Sequence, residues 1–258
     1  MKRLLLTLTL CALVLSGCSK KKMENFALLT GMDKTQVENI HKHYTTLIVK
    51  GTFTKATTTK IKKHTTTLYG QINMTANKDP NYQNTNITHK NTTYANITLD
   101  TWQKHITDQI NTMKANGYDG LYIRGFNLYE YAHKDINIYK AMMHFIDYAH
   151  KQKMKVIIQD GHEFIDDFIK HKENKALITG VLREDVYTKY NKKKRTLGQD
   201  KKVSDEKKAF LDRVVSYGMK AYVVEYTKAS DWKAVIEHDA KKRGYHYVII
   251  KHHNKTKE

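Results

Sequence analysis

Short runs of apolar, β-branched and aromatic residues recur along the chain at 26–29, 45–49, 67–72, 120–123, 156–158, 178–182, 221–224 and 245–250. Runs this short, with polar stretches between them, read as strands buried on both faces. Helical spacing is predicted over 34–43, 99–116, 139–152, 163–170, 205–217 and 231–243, with Asp100, Ser204 and either Ser230 or Asp231 as N-caps. Strand and helix alternating about eight times predict an α/β fold, a single (β/α)8 TIM barrel. A doubly wound open sheet is the other layout this count allows. No GxGxxG or GxxxxGK[ST] follows any of the runs, which weighs against a nucleotide-binding sheet.

The interval 73–98 breaks the rhythm: it is rich in Asn, Thr and Lys, contains the single proline, Pro80, and has no apolar period. It reads as a loop over the top or side of the barrel. Its Asn-x-Thr triplets at Asn73, Asn86, Asn91 and Asn96 are assigned no role.

The first residues are of a different kind. Lys2-Arg3, an apolar stretch over 4–16, then Leu15-Ser16-Gly17-Cys18 followed by Ser19 and Lys20-Lys21-Lys22 read as a leader for export, short for a membrane span. Small residues directly before a cysteine resemble the bacterial lipobox, in which cleavage precedes the cysteine and the lipid is carried on it. The alternative is an ordinary signal peptide with an incidental cysteine. The expected organisation is a leader over 1–17, a lipidated tether over 18–24 beginning at Cys18, a barrel over 25–252 and a polar tail over 253–258. Loss of the leader removes Cys11 and leaves Cys18 without an intramolecular partner, so no disulfide is expected. The implied location is the cell envelope, at the outer membrane or cell surface, with the chain acting as a monomer.

Composition sharpens this picture. The 258 residues include 45 Lys+Arg against 26 Asp+Glu, for a formal charge of +19, with two cysteines and 40% hydrophobic residues. That excludes a disulfide scaffold, a multi-span membrane protein and a fully disordered chain. The positive charge is spread evenly rather than gathered in a patch, and no zinc knuckle or stacked-aromatic module accompanies it, so no nucleic acid partner is expected. Fourteen histidines are present without an HExxH, and His41, His43, His252 and His253 lie in polar stretches, so neither a metal nor a cofactor is expected.

Three stretches in the second half carry a resemblance. They are Asn116-Gly117-Tyr118-Asp119-Gly120-Leu121-Tyr122-Ile123-Arg124, with Gly125-Phe126-Asn127-Leu128-Tyr129-Glu130 after it; Val156-Ile157-Ile158-Gln159-Asp160-Gly161-His162; and Thr179-Gly180-Val181-Leu182-Arg183-Glu184-Asp185-Val186-Tyr187. In this order the chain resembles glycoside hydrolase family 114, the endo-α-1,4-polygalactosaminidase-like barrels. Tyr217-Gly218-Met219-Lys220, Val223-Val224-Glu225-Tyr226 and Arg243-Gly244-Tyr245 extend the likeness, which is weak before Asn116.

In such a barrel the residues at the carboxyl ends of the strands face the substrate, which here points to Lys50, Arg124, Asp160, Glu184, Glu225 and Tyr226. The resemblance adds Asn127, Gln159 and Tyr187 as sugar contacts and implies an Asp ending the fourth strand and a Glu ending the sixth. The Glu is present as Glu184. Arg124 stands where the Asp is implied, Asn127 where a second Asp often follows, and Lys50 where the second strand tends to end in an acid. Arg124 facing Glu184 is expected to lower the pKa of that carboxyl and make it a poor general acid. Asp160, Asp185 or Glu225 would then supply the second carboxyl, Asp160 standing where the family has an Asn. Three accounts follow: a hydrolase using Glu184 and Asp160, a barrel that binds an amino-sugar or acidic polysaccharide without cutting it, and a lipid-anchored structural module in which Arg124 and Glu184 are a satisfied pair. His162 reads as a surface residue opening a helix, and Tyr129 and Glu130 as loop anchors.

Overall fold

Side chains alternate strictly along the barrel strands, and the alternation decides what faces the axis. A computed structural model describes residues 25–30, 34–75, 82–90, 92–191 and 195–250. Its first half runs β1 (Phe26–Leu29), α1 (Lys34–Glu38), β2 (Tyr44–Lys50), α2 (Lys55–Ile61), β3 (Thr65–Asn73), β4 (Gln83–His89), β5 (Thr92–Ala95), α3 (Asp100–Ala115), β6 (Gly120–Arg124), α4 (Leu128–Tyr131) and α5 (Ile136–Lys151). The second half continues with β7 (Lys155–Gln159), α6 (His162–Phe168), β8 (Gly180–Glu184), β9 (Thr188–Asn191), β10 (Arg195–Gly198), α7 (Lys201–Ser216), β11 (Lys220–Tyr226), α8 (Ser230–Arg243) and β12 (His246–Ile250).

Eight strands form one parallel sheet in the order β1-β2-β3-β6-β7-β8-β11-β12, and β12 returns beside β1. This is a (β/α)8 barrel. Phe26, Leu28, Ile48, Tyr69, Tyr122, Ile157, Leu182, Tyr222 and Val224 fill its interior. The alternate residues, among them Leu47, Leu68, Leu121, Val156, Val181 and Val223, bury outward against the helices. Each such side chain withdrawn from water contributes roughly 1.5–3 kcal/mol. Tyrosines fit inside because glycine stands opposite them: a Cβ at Gly120 would lie 2.5 Å from the Tyr69 ring and one at Gly180 would lie 2.8 Å from the Tyr222 ring. Large and small residues thus interlock across neighbouring strands.

All eight expected strands are present, and the departures lie elsewhere. The interval expected to be a bare loop carries the antiparallel hairpin β4–β5, pairing Asn84 with Tyr94 and Thr88 with Thr93. Its Thr-rich strands are β-branched without being apolar, so hydropathy did not reveal them. A second hairpin, β9–β10, follows β8 in the same way. The helix expected over 34–43 stops at Glu38, and the chain enters β2 at Tyr44. Helix α2 was not expected from its Thr-rich sequence; it is held by tertiary bonds, Thr57 Oγ1 to Glu38 Oε1 at 3.0 Å and Thr58 Oγ1 to the Asn116 carbonyl. Three caps also differ: α8 has Ala229 at its cap, with Ser230 and Asp231 inside the helix. Asp200, not Ser204, caps α7 by accepting from Val203 N at 3.1 Å, which starts that helix one turn earlier; Asp100 is the first residue within α3, with Leu99 at the cap.

The leader, Cys18, the tether, the tail with His252 and His253, Pro80 and Asn91 lie outside the described residues. Among the described residues no helix is long and apolar enough to cross a membrane.

Candidate functional site

The register places one residue from each of several strands in a layer at the carboxyl mouth of the barrel. Gln71 pairs with Tyr122 and Asn73 with Arg124, while Ile123 pairs with Ile158 and Gln159 with Leu182. Counting from the interior residues Tyr122, Ile157, Leu182 and Val224, the next inward positions are Arg124, Gln159, Glu184 and Tyr226. They form a hydrogen-bonded row across four neighbouring strands. Arg124 Nε donates to Gln159 Oε1 at 2.5 Å, Gln159 Nε2 donates to Glu184 Oε1 at 3.2 Å, and Tyr226 Oη donates to Glu184 Oε2 at 2.7 Å.

Glu184 therefore receives a donor on each oxygen, yet its pKa is raised. Burial disfavours the charged form most strongly; the Tyr226 hydrogen bond opposes this, Asp160 and Asp185 add to it, and Arg124 is a smaller lowering influence. Arg124 does favour the charged form, as expected, but it does not outweigh desolvation, so the net shift is upward rather than downward. Burial likewise raises Tyr226, helped by Glu184.

Asp160 follows the inward Gln159 at the end of β7, in the left-handed region with φ 55°. Asparagine and aspartate tolerate that conformation better than most side chains, which is why Asp can occupy a place where the family resemblance implies Asn. Next to it Gly161, at φ 74°, could not carry a Cβ, which would lie 2.6 Å from the Phe126 Cβ. Gly161 N donates to Asn127 Oδ1 at 3.1 Å, tying the loop after β6 to the loop after β7. Burial raises the pKa of Asp160; Arg183, Lys207 and Arg124 pull it down, as does a hydrogen bond from Asn127. Its side chain keeps 27% exposure, on the cleft side, and Arg183 Nε lies 3.6 Å from Oδ1.

Arg124, Asn127, Gln159 and Asp160 line a cleft of about 300 Å³ together with Asn73, Thr75, Thr92, Tyr94, Leu128 and Tyr131, while Glu184 and Tyr226 are not among its lining residues. The second group of lining residues was not expected from the sequence. Thr92 and Tyr94 come from β5, inside the interval read as a loop, and Tyr131 comes from the short helix α4. Thr92-Thr93-Tyr94-Ala95 shows no apolar alternation, and its β-branched and aromatic content was the one signal of a strand there. Gly125 makes the turn out of β6 at φ 112°, where a Cβ would lie 2.6 Å from Thr75 Oγ1.

Lys50 ends β2 on the inward parity and is exposed, but it is not among the residues lining the cleft. Glu225 and Tyr187 are corrected by the structure. Glu225 falls on the outward parity of β11; its Oε1 accepts from Val186 N at 2.6 Å and Tyr187 N at 2.9 Å, and its Oε2 from Thr188 N at 3.0 Å and Thr188 Oγ1 at 2.5 Å. It is a fully buried anchor for the chain after β8, with burial pushing its pKa up to about 7 despite those donors. Tyr187 is buried between α7 and α8, with Oη donating to Asp239 Oδ2 at 3.0 Å and Lys208 lying over its ring. Neither side chain reaches the cleft. Tyr129 donates to Asp167 Oδ2 at 2.8 Å and so anchors α4 to α6. His162 pairs with Asp166 at 3.1 Å and packs on Phe210. Among the described residues no three His, Cys, Asp or Glu side chains gather as a metal site.

The sequence matches no protein-family model and no functionally curated protein. Solved structures do match in fold. The glycoside hydrolase domain of PelA from Pseudomonas aeruginosa superposes with a TM-score of 0.69 at 13% identity, covering 88% of this chain and 93% of that one. Aspergillus fumigatus Ega3 in complex with galactosamine gives 0.64 at 10% identity, covering 88% and 89%. The barrel is thus of the type seen in glycoside hydrolase domains.

Proposed function

We propose that the protein is a glycoside hydrolase-like barrel that cleaves an O-glycosidic bond in a galactosamine-containing or related polysaccharide, with Glu184 as general acid and Asp160 as its partner. The observation carrying this reading is that two carboxyls stand at the ends of adjacent strands at the mouth of the barrel, Glu184 ending β8 and Asp160 directly following β7, each with its pKa raised by desolvation. Hydrolysis of a glycosidic bond uses one carboxyl that keeps its proton and one that is ionised. The surroundings separate the two. Asp160 is faced by Arg183, Lys207 and Arg124, all favouring its charge, whereas Glu184, besides the Tyr226 hydrogen bond and Arg124, is faced by the carboxylates of Asp160 and Asp185, which disfavour its charge. Glu184 is accordingly the proton donor to the leaving oxygen, and Asp160 the base or nucleophile. PelA and Ega3 support the class of reaction through their fold.

The test is release of reducing ends from an α-1,4-linked galactosamine polymer by the purified protein beside Glu184→Gln. Cleavage lost in the variant supports hydrolysis; equal cleavage by both rejects Glu184 as the acid. A second reading, a barrel that binds polysaccharide without cutting it, is favoured by Arg124 standing where the fourth barrel strand is implied to end in Asp. Binding without reducing-end release would establish it. Either form would be held to the cell envelope by lipid on Cys18, and metabolic labelling with palmitate that vanishes in Cys18→Ala checks this.

A further inference from the structure

The cleft is lined by one guanidinium, Arg124, and two tyrosines, Tyr94 and Tyr131. Gln159 fixes the Nε edge of Arg124 at 2.5 Å, and Arg124 shares the cleft with Tyr94 and Tyr131. The two rings are 5.8 Å apart and inclined at 43°, and His89 stacks on Tyr131 at 4.0 Å and 4°. Rings and cation are held in place before a ligand arrives, which lowers the ordering cost of binding.

A ring face beside a planar cation suits a sugar whose C–H face lies on tyrosine and whose acid group meets the guanidinium. Arg124 puts a fixed positive charge on the cleft, and Lys50 ends β2 on the same mouth without lining it. An ammonium-bearing sugar placed against Arg124 would set like charges together.

We propose that the cleft recognises a carboxylate-bearing pyranose, a uronic acid unit of an anionic glycan, stacked on the Tyr94–Tyr131 wall with its carboxylate on Arg124. The proposal rests on the reading of this cleft as a saccharide site and chooses acidic sugar over the amine-bearing galactosamine.

Calorimetric titration of the purified protein with tetramers of galacturonate, galactosamine and N-acetylgalactosamine tests it, repeated with Arg124→Gln and Arg124→Glu after a thermal melt shows each variant folded. The galacturonate tetramer is expected to bind at least about tenfold more tightly than the other two, and Arg124→Gln to lose roughly 10- to 100-fold for it alone, the span of one charge-assisted hydrogen bond. Arg124→Glu is expected to turn the preference toward the amine. Equal or tighter binding of the galactosamine tetramer by the unaltered protein overturns the proposal and leaves the saccharide reading standing. No binding of any tetramer overturns both. Galacturonate binding unchanged in folded Arg124→Gln overturns the place given to Arg124. Should neither variant fold, the ranking of the three tetramers by the unaltered protein still decides the charge class.

Discussion

Glu225 and Tyr226 are consecutive in β11 and stand on opposite sides of the barrel wall. Tyr226 turns inward and donates to Glu184 Oε2 at 2.7 Å, while Glu225 turns outward and gathers the amides of residues 186–188. The pleat of one strand thus supplies both a partner for Glu184 at the barrel mouth and the clamp that holds the chain leaving β8.

Removing that clamp should cost more than removing most side chains. Glu225→Ala leaves three backbone N–H groups and the Thr188 hydroxyl without their acceptor, and is expected to destabilise the fold by roughly 3 kcal/mol or more. Urea unfolding at fixed pH measures it. The acidity of Glu225 gives a second readout. A carboxyl whose folded pKa is raised to about 7 stabilises the fold at pH values below its unfolded value and loses that contribution as pH rises through the interval up to about 7. The unaltered protein should therefore lose stability between about pH 4.5 and 7 relative to Glu225→Gln.

The same sign governs Glu184. Its raised pKa means that the ionised form is the costly one, so Glu184→Gln should keep or gain stability at neutral pH while losing any cleavage. A melting temperature that falls by many degrees at neutral pH would show that Glu184 stabilises the fold as a carboxylate.

Tyr226→Phe removes a donor that favours the charged form of Glu184. The pKa of Glu184 should move further upward, seen as a shift of its carboxyl carbon titration by NMR, with a stability change of about 1 kcal/mol. An unchanged titration would mean that the hydroxyl contributes nothing to the state of the carboxyl.

At the end of β7 backbone and chemistry can be separated. Asp160→Asn keeps a residue that tolerates φ 55°, so its melting temperature should stay near that of the unaltered protein while cleavage is lost. Gly161→Ala meets both a positive φ and the Phe126 Cβ at 2.6 Å, and should destabilise by roughly 1–3 kcal/mol in chemical denaturation.

Much of this was legible because the barrel writes itself in short apolar runs, and every one of the eight overlaps a strand of the sheet. Glu184 and Tyr226 were legible for the same reason, since a residue ending such a run faces the mouth. Glu225 misled because proximity to a strand end was read without its parity; two residues back from Glu225 is Val223, on the helix side of the wall. Tyr187 misled because the chain turns away from the mouth as soon as Glu225 takes hold of its amide. Tyr94 and Tyr131 were invisible because their elements are too short or too polar for hydropathy to report, and are fixed by contacts such as the stacking of His89 on Tyr131.

The hairpin β4–β5 takes no part in the eight-stranded sheet, yet it furnishes one bank of the cleft. What folds the protein and what fits its ligand are thereby written in different stretches of chain. Changes in the hairpin can retune which sugar is accepted without disturbing the interlocked tyrosines and glycines below. Evolution, or an engineer, could exchange that bank as a cartridge while the barrel and its row of Arg124, Gln159, Glu184 and Tyr226 stay in place.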